Sequence, residues 1–447
     1  MKISRVWAFG LLPGLVFTVL GTAGAATLDV PHTLHRVRTG PPHLTESHRH
    51  HAAAPVTTHT AARHAAAKAE PAAQRARVTP RGAARAELRR ASLTTRRHHF
   101  YERFTASSFA SSDIFAGDAT AGEDPVVRQA AIDALDGMNG TAVVIDPNNG
   151  RILAMVNQKL ALSPGAEPCS TIKITVAMAA LSEGLVTSDT MVQLPGFRMN
   201  MTQALAKSNN LYFEELGREL GFERVRHYAN QFGLGELAGY NIPGEQLGVY
   251  PDQELPASEG GVGRMCSFGQ GVSLTPLQLG AYVAALANGG TLYYLQHPAT
   301  QEDALALVPK VKRTLDIAKY VPEMQDGMAG AVEYGTARRL SATFHDFPVF
   351  GKTGTCSNNG TRFGWFASFA DSPQGGLVTV FFLEGGRPTF GPRAAELTGA
   401  FYKNLSDRNY FANRTQQTAQ IAGPADATQP ASQEPTTAQP GAQQLPR

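Results

Sequence analysis

Cysteine is scarce in this chain, with three residues in 447, Cys169, Cys266 and Cys356. That excludes a disulfide-dense small scaffold, and in an exported protein an odd number leaves at least one thiol unpaired. Charge is scarce too: 17% Asp, Glu, Lys and Arg beside 43% apolar residues suits a globular core. After the first twenty residues no apolar run approaches the roughly 17 to 25 residues that span a bilayer, which excludes a polytopic membrane protein. No internal repeat is visible, which excludes a solenoid. The His cluster Ser47-His-Arg-His-His51 has no Cys or carboxylate partner at ligand spacing, so no metal site is expected there.

What is present is unevenly distributed. Residues 1–26 begin with Lys2 and Arg5, continue through an apolar run from Val6 to Leu20 and reach Ala23-Gly24-Ala25. This reads as a signal peptide or, uncleaved, a membrane anchor, and both readings place the rest of the chain outside the cytoplasm, in a periplasm or on the outer face of the membrane. Residues 31–110 hold 14 Lys+Arg against 4 Asp+Glu, an excess of +10, so the net +3 of the whole leaves 3 − 10 = −7 for the remainder. With little aliphatic bulk that stretch cannot offset the entropy of ordering, and residues 27–121 read as a disordered basic tether. Its charge is suited to contact with an anionic membrane or wall polymer; no nucleic-acid partner is expected. Residues 412–447, rich in Gln, Pro, Thr and Ala, read as a disordered tail.

Between them, residues 122–411 read as one domain. Val126 to Met138 has helical spacing. Thr141 to Pro147 and Arg151 to Asn157 form two alternating strands around Asn-Asn-Gly, a hairpin of half-buried strands. An apolar helix opens at Ser170. Further helices are expected at Thr202–Leu220, at Phe222–Phe232 and from Pro276 to Asn288, the last with Thr275 as cap and Gly289-Gly290 as stop. Three strand signals follow, within 347–355, 362–370 and 377–384, and an amphipathic helix spans Arg393 to Leu405. The fold class is α+β: an antiparallel sheet joining both strand groups, covered by the N- and C-terminal helices, with an all-helical subdomain alongside.

Three short motifs carry chemistry. In Cys169-Ser-Thr-Ile-Lys173, Ser170 and Lys173 are one turn apart and share a face. A serine needs a base, and a lysine serves only when its amine is neutral; burial and a neighbouring cation both lower its pKa, and the natural second cation is Lys352. Ser208-Asn209-Asn210 offers a hydroxyl for proton relay and an amide to orient a peptide carbonyl. In Lys352-Thr353-Gly354-Thr355 the two threonines project from one side of a strand, Lys352 adds a cation, and Gly354 lets a ligand's backbone approach, a set suited to a peptide laid down as an added strand with its carboxylate among hydroxyls and ammonium. Each alone is ordinary capping, loop or edge-strand material.

Together and in this order, S-x-x-K, S-x-N and K-T-G resemble the penicillin-recognising serine acyltransferases. The segments A-L-A-K-S-N-N-L-Y-F, G-Y-N-I-P-G-E-Q-L-G, F-G-Q-G-V-S-L-T-P-L-Q-L and V-F-G-K-T-G-T narrow the resemblance to the transpeptidase domain of penicillin-binding proteins, over roughly Thr141 to Asn404. The resemblance implies an active site between sheet and helical subdomain. It implies that Ser170 is acylated by a peptidoglycan stem peptide ending in D-Ala-D-Ala, with Lys173 as base and Ser208 as relay. Asn210 would hold the donor peptide, and Lys352, Thr353 and Thr355 its carboxylate. The backbone N–H groups of Ser170 and Thr355 would form the oxyanion hole, β-lactams would acylate the same serine, and no metal or organic cofactor is needed. An amine acceptor makes the enzyme a D,D-transpeptidase, water a D,D-carboxypeptidase. Two departures stand out: the interval from Lys173 to Ser208 is short for this family, and no glycosyltransferase domain is recognisable.

A serine β-lactamase is the nearest rival, but no E-x-x-L-N segment lies between Ser208 and Lys352, and Glu245 in P-G-E-Q-L-G reads as structural. A β-lactam sensor or wall-binding pseudoenzyme is the rival from another class; neither several membrane helices nor a lost catalytic residue supports it. The same resemblance places Cys169, before the nucleophile, near Cys356, after the K-T-G-T strand, where some class A β-lactamases carry a cystine. A Cys169–Cys356 disulfide is expected, with Cα atoms roughly 4.4 to 6.8 Å apart. Cys266 is then a buried small hydrophobe, although the sequence leaves other pairings open.

Overall fold

The structure, a computed structural model, describes residues 104–372 and 375–412, all within one compact unit. The expected leader, the His cluster, most of the tether and, from residue 413, the tail lie outside the described residues.

Five strands form the main antiparallel sheet: β1 (Gly140–Ile145), β2 (Ile152–Val156), β3 (Val349–Asn358), β4 (Thr361–Ala370) and β5 (Leu377–Gly385), in the order β2-β1-β5-β4-β3. The two strand groups meet where Ala142 pairs Phe381 and Val143 pairs Val380. The strand carrying Lys352-Thr353-Gly354-Thr355 is thus an edge, paired on one side only, with Lys352 opposite Ala367 and Thr355 opposite Gly364. The strands alternate as period two requires, but both faces are covered. Val143 and Ile145 enter one core with the helical block, and Ala142 and Val144 enter a second core with the terminal helices. The β1–β2 hairpin is therefore buried throughout rather than half-buried, and its connection is a wider turn over 146–151 with Gly150 at φ 74°.

The terminal helices, α1 (Pro125–Leu135) and α9 (Gly391–Asp407), pack together on one face, where Asn404 Nδ2 donates to Ala130 O at 3.2 Å. On the other face lies the helical block: α2 (Lys173–Ser182), α3 (Met201–Lys207), α4 (Asn210–Leu220), α5 (Phe222–Gln231), α6 (Gly261–Phe268), α7 (Pro276–Ala287) and α8 (Val321–Glu333). Every residue of α2 from Lys173 to Leu181 is buried, as its apolar sequence demands. Helix α7 starts at a capping box between Thr275 and Gln278 with Pro276 in its first turn, and stops before Gly289 and Gly290, both at positive φ.

Two expectations need correction. Thr202–Leu220 is two helices, because Ser208 adopts the left-handed conformation (φ 54°, ψ 46°) that ends α3, and Asn209 then caps α4 by accepting Tyr212 N–H at 2.9 Å. The domain also starts earlier than residue 122. Residues 104–121, expected in the tether, lie on it: Phe109 bridges to Met138, Ser108 is buried, and Asp118 pairs with Arg128 at 2.7 Å. No helix among the described residues is long and apolar enough to cross a membrane.

Candidate active site

Ser170 does not open an α-helix. Pro168 leads into Cys169 at φ 52°, Cys169–Ile172 forms a 3₁₀ turn closed by Thr171 Oγ1 donating to Pro168 O at 2.7 Å, and α2 begins only at Lys173. Residues three apart share a face on a 3₁₀ turn as on an α-helix. Lys173 Nζ accordingly sits 3.0 Å from Ser170 Oγ.

The same amine lies 2.6 Å from Asn210 Oδ1, 3.0 Å from Ser208 O and 3.1 Å from Ser208 Oγ. The left-handed turn at Ser208 is what presents both its carbonyl and its hydroxyl to Lys173. From the opposite side Lys352 Nζ donates to Ser208 Oγ at 2.8 Å and to Thr353 O at 3.0 Å. Lys173 and Lys352 are both 0% exposed. Burial, then the charge of Lys352, holds Lys173 well below the usual lysine value, opposed in part by the Glu214 carboxylate. Burial pushes Lys352 down to about 7.

In its neutral form the amine has two N–H donors and one lone pair. With Asn210 Oδ1 and Ser208 O accepting the two donors, the lone pair is left within reach of two hydroxyl protons, those of Ser170 at 3.0 Å and Ser208 at 3.1 Å. With Asn210 Oδ1 turned to Lys173, its NH₂ group remains to donate elsewhere.

Thr353 and Thr355 share one side of β3, as their spacing requires. Thr353 Oγ1 lies 2.6 Å from Thr336 Oγ1, and Thr355 Oγ1 accepts Gly391 N–H at 2.8 Å. Gly354 has a reason within the fold beside the one its motif suggests. A Cβ there would lie 2.8 Å from Pro168 O and 3.2 Å from Thr171 Cγ2, so this glycine lets the strand close on the turn that carries Ser170. That approach is locked by the Cys169–Cys356 disulfide, with Cα atoms 5.6 Å apart, and by Trp365 Nε1 donating to Glu167 O at 3.0 Å. The bridge brackets the backbone N–H groups of Ser170 and Thr355, one covalent neighbour away from each. Cys266 is buried and free. Glu245 accepts Ala238 and Gly239 N–H in a loop turn, as a structural residue does.

Sequence reading missed Thr336, Gly391 and Trp365. Thr336 follows α8, where its N–H donates to Ala206 O at 3.1 Å just before Ser208, and a Cβ on the preceding Gly335 would lie 2.1 Å from that oxygen. A lone Gly-Thr after a helix and a Gly starting one give no signal until the fold brings them to β3. Among the described residues no group of His, Cys, Asp and Glu is arranged to hold a metal ion.

Comparison with known proteins agrees with this geometry. The family model described as the penicillin binding protein transpeptidase domain matches residues 140–403. The chain is similar to stage V sporulation protein D of Bacillus subtilis, 30% identical over 49% of this chain and 40% of that protein. It is also similar to peptidoglycan D,D-transpeptidase FtsI of Escherichia coli, 27% identical over 34% of this chain and 31% of that one. The chain thus spans less than half the length of these relatives. Among solved structures, the transpeptidase domain of Burkholderia pseudomallei penicillin-binding protein 3 matches 65% of this chain and 96% of its own at 20% identity, TM-score 0.56. Pseudomonas aeruginosa PBP2 matches 63% and 76% at 24% identity, TM-score 0.53. At those identities the structures show a shared fold.

Proposed function

Since the chain belongs to the penicillin-binding protein transpeptidase family, we propose that it is a serine D,D-transpeptidase, or D,D-carboxypeptidase, acting on peptidoglycan stems that end in D-Ala-D-Ala. The observation that carries this reading is the junction at Ser208, where a buried amine 3.0 Å from Ser170 Oγ meets a second buried lysine across one hydroxyl.

Ser170 Oγ attacks the carbonyl carbon of the penultimate D-alanine while Lys173 takes the hydroxyl proton. The developing oxyanion lies between the N–H groups of Ser170 and Thr355. On collapse the C–N bond breaks, and the departing D-alanine amine receives its proton from Lys173 by way of Ser208. The Asn210 amide holds the donor peptide, and Lys352, Thr353 and Thr355 hold its terminal carboxylate. The acyl-enzyme ester is resolved by an amine of a second stem, giving a cross-link, or by water. A β-lactam enters by the same attack, but its amine stays tethered after the ring opens and the ester persists. Export directed by residues 1–26 would bring the domain to its polymer, and the basic stretch of the tether would meet anionic lipid or wall polymer there.

The test is covalent labelling of the full chain with a fluorescent penicillin, paired with D-alanine release from a D-Ala-D-Ala peptide. Ser170→Ala is expected to lose both. Retained labelling would remove Ser170 from its role, and a penicilloyl ester hydrolysed within seconds would make the protein a β-lactamase.

A further inference from the structure

Residues 104–109, which composition assigns to the tether, lie across the loop that leads from β5 into α9. Two glycines make room for them: a Cβ on Gly385 would lie 2.5 Å from Ser107 O, and one on Gly386 3.0 Å from Ala106 O. The buried Ser108 fills the gap. Its Oγ accepts Gly386 N–H at 2.8 Å and lies 2.9 Å from Thr389 Oγ1. Two residues after Thr389, Gly391 N–H donates to Thr355 Oγ1.

A second route joins the same places. The Arg362 guanidinium lies 5.6 Å from the Phe104 ring and 5.6 Å from the ring of Phe390, the residue before Gly391. Thr105 N–H also donates to Gly360 O at 2.8 Å, at the tip of the β3–β4 hairpin. One short segment therefore holds both the strand that carries Thr355 and the loop that contacts its hydroxyl. That contact matters because a threonine hydroxyl has a single proton. By occupying one lone pair of Oγ1, the Gly391 N–H restricts the rotor on which that proton turns, and an oriented O–H donor is what recognition of an anion requires.

We propose that Ser108 is a positioning residue for the carboxylate-receiving end of the active site, acting through Thr389 and Gly391 to hold the Thr355 hydroxyl oriented as a donor toward the substrate's terminal carboxylate. The inference rests on the function proposed above, and it gives residues 104–109, at the N-terminal edge of the folded unit, a part in substrate recognition.

The full chain is assayed with two thioesters of one acyl-D-alanyl group, the first ending in a free thioglycolate carboxylate, the second its methyl ester. Ser108→Ala is expected to raise KM for the carboxylate thioester about five- to tenfold while leaving kcat and turnover of the ester within about twofold. Ser108→Thr, which keeps a hydroxyl, is expected to restore the preference. Thr389→Val breaks the same relay and gives the same readout should Ser108→Ala fail to fold. An unchanged carboxylate-to-ester ratio in a folded variant overturns the proposal, whether activity is intact or both thioesters suffer equally. A wild-type chain that turns over neither thioester overturns the functional reading and this inference with it.

Discussion

Lys173 and Lys352 meet at one hydroxyl, and the charge they carry between them sets the pH at which the site can work. In the proposed mechanism Lys173 acts without its proton and Lys352 with it. Lys173 is held well below the usual value by burial and by Lys352, which favours its neutral form. Lys352, pushed down to about 7 by burial, loses its charge as pH rises through that value. The second-order rate of acylation by a penicillin reports the free enzyme, so its alkaline limb is expected near pH 7 rather than near the ordinary lysine value of about 10.4. Lys352→Arg, which stays charged, should remove that limb while lowering the maximum, because a planar fork does not fit an ammonium's place. A wild-type rate still climbing at about pH 9 would contradict the assignment of roles. The same shift also acts on stability. Between the folded value near 7 and the unfolded value near 10.4 the unfolded chain binds more protons, so the Lys352 contribution raises stability as pH rises through that window.

At the scale of elements, the turn that carries Ser170 and strand β3 are fastened by a covalent bridge. The Cys169–Cys356 disulfide closes a sequence separation of 187 residues, for which the chain-entropy account gives an upper value of about 5 kcal/mol. Cys356→Ala is expected to lower Tm by several degrees and to slow acylation, since Ser170 and Thr355 are then held together by packing alone. Wild-type protein in reductant should behave the same way, and thermal unfolding and penicillin labelling with and without reductant would check both. If neither treatment changed either quantity, the bridge would have no part in the site. These elements were unevenly legible in the sequence. The five strands, the capped helix α7 and the disulfide could be read because short apolar runs between turn residues, cap chemistry and family segments each leave a local mark. The 3₁₀ turn at Ser170 left none, because S-x-x-K aligns its side chains on either kind of helix. The break at Ser208 had its signal in Ser-Asn-Asn, which apolar spacing across 202–220 masked. The contact of Gly354 with Pro168 O left no mark, because residue 168 is far away in sequence.

For the whole molecule, the N-terminal limit was the least legible feature. Averaged over 31–110 the chain looks unable to fold, and the segment over 104–123 holds on through single polar contacts and the packing of Phe115 against the second core rather than a periodic apolar face. Among its attachments is a buried charge cluster. Arg128 on α1 pairs with Asp118 at 2.7 Å and with Glu123 at 2.9 Å, their side chains 12%, 3% and 0% exposed. The carboxylates are engaged elsewhere as well: Asp118 accepts Asn157 and Gln158 N–H at 2.9 and 2.8 Å, and Glu123 accepts Met155 N–H at 2.9 Å and faces His297 Nε2 at 3.0 Å. One guanidinium thus ties the incoming segment to α1, to β2 and to the turn after it. Removing it leaves two buried carboxylates short of their main cation, which is far costlier than losing an exposed pair. Arg128→Leu in the full chain is therefore expected to destabilise by about 3 to 5 kcal/mol, read by urea unfolding. Arg128→Lys should recover only part of this, because a single ammonium cannot reach both carboxylates with a fork's geometry. Amide exchange supplies the local readout: the N–H groups of Asn157 and Gln158, whose acceptor is Asp118, should lose protection before those of β5 at the sheet's centre. If Arg128→Leu unfolded within about 0.5 kcal/mol of wild type, the segment would be only resting on the domain, and the folded unit would begin at residue 122 as composition suggests.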